Sequence, residues 1–191
     1  MRCGAVVIGS SAGGFLALEA ILGVLDATFA APILLVQHLH TSDRGLFAEH
    51  LGRVSPLRVV EVGDKHVVAP AFVHVAPAGY HLLVEDASTL ALSVDPPVHH
   101  SRPAIDPLFE SAARVWGTEL IGVLLSGASN DGTQGLRAVK AAGGRCLVQD
   151  PASAESARMP RCAIEAGFGD EVLAPARIGV RLRELCCGVG V

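Results

Sequence analysis

Three residue types that together perform ester chemistry occur where apolar stretches end. "AVVIGSS" ends in Ser10 and Ser11, "PILLVQH" ends in His38, and "LIGVLLSGASND" ends in Asp131. A serine hydroxyl is a weak nucleophile until an imidazole takes its proton, and a carboxylate fixes the tautomer of that imidazole. The sequence therefore predicts a hydrolytic site made of a serine, a histidine and an aspartate, if the fold brings these stretches together.

The elements that must position these residues alternate between strands and helices. Periodicity predicts strands at residues 5–9, 32–38, 57–62, 120–125, 145–149 and 171–173. It predicts helices at residues 14–25, 43–54, 104–116, 133–142 and 175–185, and an antiparallel hairpin insertion within residues 71–94. We expect one α/β domain over residues 1–191: a doubly wound, mostly parallel sheet with helices on both faces.

In such sheets, ligands bind at the carboxyl ends of the strands. That rule selects Ser11, His38 and Asp131 together, with Ser10 as the competing serine. Each residue also has a purely structural interpretation. Ser11 and Asp131 could cap the helices that follow them, because both residue types are favoured N-caps. His38 could simply be a polar residue that closes a strand.

The small-residue turn from Gly9 to Gly14 has a rival interpretation as an anion cradle for a nucleotide. Ser11 replaces the second glycine of a dinucleotide fingerprint, and Gln37 and His38 stand where that motif needs an acidic residue. The turn also fits the G-x-S-x-G nucleophile elbow. However, the order Ser, His, Asp differs from the order in α/β-hydrolases. Shared chemistry on a different fold remains the favoured interpretation.

Composition limits the partners and the compartment. A formal charge of -4 and a pI near 6.0 give no electrostatic case for nucleic acid or an anionic membrane. We expect no signal peptide and no direct membrane insertion, hence a cytoplasmic protein. Five cysteines without Cys-x-x-Cys spacing predict free thiols and no metal site. The pair His99 and His100 is predicted to lie in an ordinary loop.

Six segments, in this order, resemble the catalytic domain of the chemotaxis protein-glutamate methylesterase (CheB-type). They are "VVIGSSAGG", "LLVQHLH", "HVAPAGYHLLVE", "AIDPLFESAARVWG", "GVLLSGASNDGTQGL" and "AAGGRCLVQDPASAESARMPRCAIEAG". The resemblance covers nearly the whole chain, and six ordered segments are far more specific than any single motif. It implies hydrolysis of glutamyl methyl esters on bacterial chemoreceptors, with release of methanol, and deamidation of particular receptor glutamines.

The same resemblance implies roles for individual residues. The catalytic residues would be Ser11, His38 and Asp131, with Ser11 either attacking the ester or acting with His38 on water. Backbone amides at Ala12, Gly13 and Ala128 would bind the oxyanion and the substrate. No metal or cofactor is implied. The implied partner is the cytoplasmic region of methyl-accepting chemoreceptors, or a related methylated protein.

The chain departs from the family pattern in three respects. Ala12 replaces a common threonine, and Ala128 and Ser129 replace a methionine and a glycine of the family's turn. Only ten residues precede Ser11, so we expect no receiver domain and a stand-alone esterase or a fragment. Regulation would then come from a separate receiver protein. These departures keep one alternative open, a non-catalytic module on the same fold that binds receptors or other signalling proteins.

Overall fold

The computed structural model describes residues 3–188. The strands in this range are β1 (Ala5–Ser10), β2 (Ile33–Gln37), β3 (Arg58–Glu61), β4 (His66–Val67), β5 (Phe72–Val75), β6 (His81–Asp86), β7 (Thr89–Ser93), β8 (Leu120–Leu124), β9 (Arg145–Gln149) and β10 (Glu171–Leu173). The helices are α1 (Gly14–Leu22), α2 (Leu46–Val54), α3 (Ile105–Trp116), α4 (Thr133–Ala141), α5 (Arg158–Glu165) and α6 (Pro175–Cys187).

Seven strands form one parallel sheet in the order β10-β9-β8-β1-β2-β5-β3, which confirms the predicted architecture. Neighbouring side chains of a strand point to opposite faces. Val7 accordingly joins the core cluster that contains residues of α3 and α4, whereas Val6 and Ile8 join the cluster that contains residues of α1 and α6. Within residues 3–188, none of the helices combines the length and the apolarity that crossing a membrane requires.

Residues 71–94 only partly match the expected hairpin insertion. β6 and β7 do pair antiparallel, and β4 joins them in a small second sheet. β5, in contrast, lies inside the main sheet and pairs in parallel with β2 and β3. The misleading feature was His74, which suggested a half-exposed strand. His74 is fully buried, and its Nε2 lies 3.1 Å from the carbonyl oxygen of Ala69.

The expectation of free thiols is wrong for one pair of cysteines. A disulfide joins Cys3, just before β1, to Cys186 in α6, with Cα atoms 4.8 Å apart. Cys146, Cys162 and Cys187 are free. The two bonded residues are 183 positions apart in sequence, and only the packing of α6 beside the start of the sheet brings them together.

Candidate active site

The pairing of β1 with β2 places Ser11 next to His38. Ser10 is the register partner of Gln37, and the His38 amide donates to the Ser10 carbonyl at 3.0 Å. The Gln37 side-chain amide donates to the Ser11 carbonyl, also at 3.0 Å. Adjacent strands run about 4.8 Å apart, so Ser11 and His38, the first residue after each strand, are neighbours at the carboxyl edge of the sheet.

The two consecutive serines have opposite environments. Ser10 is fully buried, and its hydroxyl donates to Gln37 Oε1 at 2.7 Å. Ser11 is partly exposed at the rim. Within residues 3–188 the Ser11 hydroxyl has no hydrogen-bond partner. This does not exclude a catalytic role, because catalytic hydrogen bonds are often long or misaligned before substrate binds. Ser11 is therefore the serine available to a ligand, and Ser10 is a structural residue.

His38 and Asp131 form a hydrogen-bonded pair across 93 residues of sequence. His38 Nε2 lies 2.8 Å from Asp131 Oδ2, with the two side chains 12% and 0% exposed. Because Nε2 faces the carboxylate, Nδ1 is the ring nitrogen left for proton exchange with a hydroxyl or water. A carboxylate in this position fixes the tautomer of the ring and stabilises its protonated form.

Asp131 is held by backbone amides as well as by the imidazole. Its Oδ2 accepts from the Ile105 amide at 2.7 Å, and its Oδ1 accepts from the amides of Asp106 and Gly132 at 3.0 and 2.9 Å. Burial opposes ionisation of Asp131, but hydrogen bonds from His38, Ile105 and Asp106 hold the pKa of this carboxyl below its ordinary value. The site thus contains a buried carboxylate that stays charged.

Neither Ser11 nor Asp131 caps the helix that follows it, so the capping alternative does not apply to these two residues. Gly13 is the N-cap of α1 and Gly132 is the N-cap of α4, and neither cap has a side-chain hydrogen bond. Ser11 therefore does not cap α1. Asp131 bonds the first amides of α3, a helix 26 residues earlier in the chain, rather than capping α4.

The turn after β1 is clamped by the turn after β8. The Ser126 hydroxyl donates to the Ala12 carbonyl at 2.6 Å and accepts from the Ser156 amide at 2.9 Å, while the Ser126 carbonyl accepts from the Ser11 amide at 2.9 Å. In a planar trans peptide the C=O and N–H bonds point in opposite directions. The Ala12 carbonyl faces Ser126, so the Gly13 N–H of the same peptide points away from Ser126. Gly13 has φ of 75°, and a side chain there would collide with Glu155.

The backbone amides of Ala12, Gly13 and Ala128 have no hydrogen-bond acceptor within residues 3–188. Free amides near a nucleophile can stabilise the negative oxygen of a tetrahedral intermediate. The side chains of Ala12 and Ala128 are both exposed, and the Ser129 hydroxyl accepts from the Asp131 amide at 3.2 Å. The substituted residues therefore line an open rim and leave the pairing of Asp131 with His38 intact.

One residue near this site, Asp106, was not singled out from the sequence, and His99 makes a contact that the sequence did not predict. Asp106 Oδ1 accepts from the Gly135 amide at 2.7 Å, and Asp106 Oδ2 lies 3.1 Å from His99 Nε2. Burial, together with the charge of Asp131, raises the pKa of Asp106 to about 6. His99 lies in a loop, as predicted, and its ring faces this carboxylate. No spacing signal links the two residues, because the loop geometry before α3 brings them together.

In the part of the chain that the structure describes, His99, Asp106 and Asp131 form a cluster whose possible ligand atoms lie within 4.8 Å of one another, as in a metal site. Both oxygens of Asp131 already accept backbone amides, and Asp106 Oδ1 accepts another. Backbone amides thus already donate to three of the four carboxylate oxygens in this group. The arrangement is accordingly better suited to hydrogen bonding than to binding a metal.

Comparison with known proteins agrees with this picture. The family model described as CheB methylesterase matches residues 6–182. A protein of Leptospira interrogans is 44% identical over 178 residues, which cover 93% of this chain and 92% of that protein. The protein-glutamate methylesterase FrzG of Myxococcus xanthus is 37% identical over 179 residues, and this chain spans 54% of its length.

The same similarity extends to a solved structure. The crystal structure of the Thermotoga maritima CheB methylesterase catalytic domain matches with a TM-score of 0.92 at 34% sequence identity. The match covers 97% of this chain and 100% of that domain. The chain therefore belongs to the CheB methylesterase family and, by that membership, is an ester hydrolase.

Proposed function

We propose that this protein hydrolyses glutamyl methyl esters on the cytoplasmic region of chemoreceptors, using Ser11, His38 and Asp131. The observation that carries the proposal is the 2.8 Å hydrogen bond between His38 Nε2 and the buried Asp131 carboxylate, one strand away from Ser11. A relative from Anaeromyxobacter dehalogenans, 42% identical over 184 residues, is named protein-glutamate methylesterase/protein-glutamine glutaminase 2. We extend both of these activities to this chain.

The proposed reaction begins with attack of the Ser11 hydroxyl oxygen on the ester carbonyl. His38 Nδ1 takes the hydroxyl proton and then delivers it to the departing methoxide, which leaves as methanol. Water next attacks the acyl-enzyme, with His38 again as the base, and releases the glutamate carboxylate and Ser11. Asp131 stays ionised throughout and stabilises the imidazolium. In a second route, Ser11 only positions a water that His38 activates.

The free amides of Gly13 and Ala128 are the donors that we assign to the oxyanion, with Ala12 as a third. A donor of this kind contributes about 3 kcal/mol to the transition state. Ser126 supports the assignment, because its bond to the Ala12 carbonyl fixes the orientation of the neighbouring Gly13 amide. An amide substrate would use the same donors, since deamidation passes through an equivalent tetrahedral oxyanion.

The test is methanol release from receptor-containing membranes carrying methylated glutamates. Replacement of Ser11 by Ala should lower the rate by about 10⁴-fold. The matched control is Ser10→Ala, one residue away, which removes a buried hydroxyl outside the reacting group. The two rates are compared at equal folded fraction, because Ser10→Ala leaves Gln37 Oε1 without its donor.

Mass spectrometry of a rapidly quenched reaction separates the two routes. An acyl adduct on the peptide that contains Ser11 supports direct attack by serine. A Ser11→Ala protein that retains the full rate contradicts the proposal. A wild-type protein that binds receptors but releases no methanol identifies the non-catalytic module instead.

A further inference from the structure

Two buried carboxylates lie close together at the N-terminus of α3, and each is within hydrogen-bond distance of a histidine. Asp131 faces His38, and Asp106 faces His99. The Asp106 backbone amide donates to Asp131 Oδ1 at 3.0 Å, so the two residues are joined directly. Asp106 is 5% exposed, and within residues 3–188 its side chain forms no hydrogen bond with Ser11 or His38.

We propose that Asp106 is a positioning residue whose ionised carboxylate stabilises the His38–Asp131 pair. Protonation of Asp106 in mild acid would therefore slow hydrolysis. The inference rests on the proposed function, because it assigns a partner to that same triad. Two physical effects link Asp106 to the pair: a hydrogen-bond connection that does not depend on its charge, and a charge effect that protonation removes.

The hydrogen-bonding effect fixes the amide that holds Asp131. The Asp106 carboxylate accepts the Gly135 amide at 2.7 Å and thereby joins the first turn of α3 to the first turn of α4. The Asp106 amide that donates to Asp131 belongs to that same first turn. Residues locked in this way hold a catalytic group in its productive geometry.

The charge effect follows from the distance between the carboxylates. Ligand atoms of Asp106 and Asp131 lie within 4.8 Å, in a buried setting where Coulomb interactions are much stronger than in water. A second negative charge favours the imidazolium form of His38, which develops as the serine proton is transferred. Protonation of Asp106 removes that assistance. The raised pKa of Asp106, about 6, puts this protonation close to neutral pH.

His99 is built into the arrangement. Its backbone has φ of 49°, a left-handed conformation that costs a non-glycine residue of order 1 kcal/mol or more. In this conformation its ring reaches Asp106 Oδ2 at 3.1 Å. His99 also lines a surface cavity of about 470 Å³ beside Asn130, and its side chain is 31% exposed. Solvent protons therefore have a short path to Asp106 through His99.

The other ionisable groups around Asp106 are few. His81 on β6 accepts the Ala104 amide through Nδ1 at 3.2 Å, directly before α3. Cys162 and Glu165 on α5 line the cavity beside His99. Glu110 on α3 and Arg137 on α4 line a separate groove open to solvent. The carboxylate of Asp131 and the ring of His99 are the ionisable groups that bear directly on Asp106.

The test is the pH dependence of kcat/KM for Asp106→Asn, which retains an oxygen to accept the Gly135 amide but has no charge. We expect the midpoint of the acid limb to move about one pH unit lower, because the variant has no carboxyl at position 106 to be protonated in mild acid. We also expect kcat at pH 7.5 to fall several-fold. The control is His100→Asn, which alters the adjacent, exposed histidine. A merely structural role lowers the rate at all pH values without moving the limb, and that result overturns the proposal.

A second variant and a direct measurement test the proposal even if Asp106→Asn folds poorly. His99→Ala keeps the Gly135 bond and removes the imidazole that favours ionised Asp106, so it should slow the reaction at pH 6.5 and leave pH 8.5 unchanged. NMR titration of the His38 ring measures the coupling without turnover, and an unmoved midpoint in Asp106→Asn overturns the inference. Failure of the triad is a separate result, seen as an undiminished rate in Ser11→Ala.

Discussion

Asp131 lies at the N-terminus of a helix to which it does not belong. Its Oδ2 accepts the Ile105 amide at 2.7 Å, and the same oxygen bonds His38 Nε2 at 2.8 Å. The first turn of α3 therefore holds this carboxylate in place and, through the positive end of the helix dipole, keeps it ionised. Residues from three separate elements thus meet at one oxygen atom.

Replacement of Asp131 by Asn tests this role. The amide side chain keeps the shape, but its NH₂ must face either His38 and the Ile105 amide or the amides of Asp106 and Gly132, and the negative charge is lost. We expect kcat to fall by about 10⁴-fold, as in serine hydrolases whose histidine is left in the wrong tautomer. Methanol release measures the effect. Asp170→Asn is the matched control, because it alters a carboxylate far along the chain in the loop before β10, at the cost of a bond to Lys140. Equal losses in both variants contradict the assignment.

Replacement of Ser126 by Ala removes the hydroxyl that bonds the Ala12 carbonyl and the Ser156 amide. The Gly13 amide then loses its fixed direction, so kcat should fall about tenfold or more while KM changes little. Ser126→Thr restores the hydroxyl and should recover most of the rate. Ser88→Ala, in the exposed turn between β6 and β7, is the control. A change in KM with unchanged kcat argues against a role in the transition state.

The stability of Asp106→Asn should differ from wild type in a pH-dependent way. Asp106 has a raised pKa of about 6 in the folded protein, so its contribution to stability is full below about pH 4 and is lost as pH rises through 6. Asn has no such loss. The variant should therefore gain on wild type by about 1–3 kcal/mol between pH 4 and pH 7.5. Urea unfolding at several pH values measures this gain, and a constant difference contradicts the buried charge.

The disulfide between Cys3 and Cys186 should make the protein more heat-stable when oxidised. Joining residues so far apart restricts the unfolded chain and is worth about 3–5 kcal/mol in the loop-entropy model. A reductant or Cys3→Ser should lower Tm by about 10 °C. Cys162→Ser, which changes a free and partly buried thiol, should leave the effect of the reductant intact. Free thiols at both positions in the purified, unreduced protein contradict the bond.

The sequence was sufficient to predict the parallel sheet and the contact between two of the three proposed catalytic residues. Long apolar strands predicted the parallel sheet, and the strand-end rule selected Ser11, His38 and Asp131, of which His38 and Asp131 are now seen in contact. These predictions rest on local patterns, namely strand hydrophobicity and small-residue turns. The burial of Ser10 and the partial exposure of Ser11 follow from the end of β1, since every residue of this central strand is buried and Ser11 is the first residue beyond it.

The parts that could not be predicted depend on contacts between distant segments. β5 contains a buried histidine whose partner is the backbone at Ala69, so its pattern resembled a half-exposed strand. His99 reaches Asp106 only because its backbone takes a left-handed conformation, for which the sequence has no glycine as a signal. Cys3 and Cys186 meet through the packing of α6 near β1. In each case the interaction that determines the structure involves residues or backbone conformations that the local sequence pattern does not reveal.

The two consecutive serines make this site sensitive to errors in strand alignment. Since side chains alternate across a sheet, sliding β1 by one position would move each of its side chains to the opposite face and separate the Ser10 hydroxyl from Gln37. An inserted or deleted residue that shifts the end of β1 relative to β2 would move Ser11 away from His38 and the Ala12 carbonyl away from the Ser126 hydroxyl. Length changes in this strand should therefore be far more damaging than substitutions of its apolar residues.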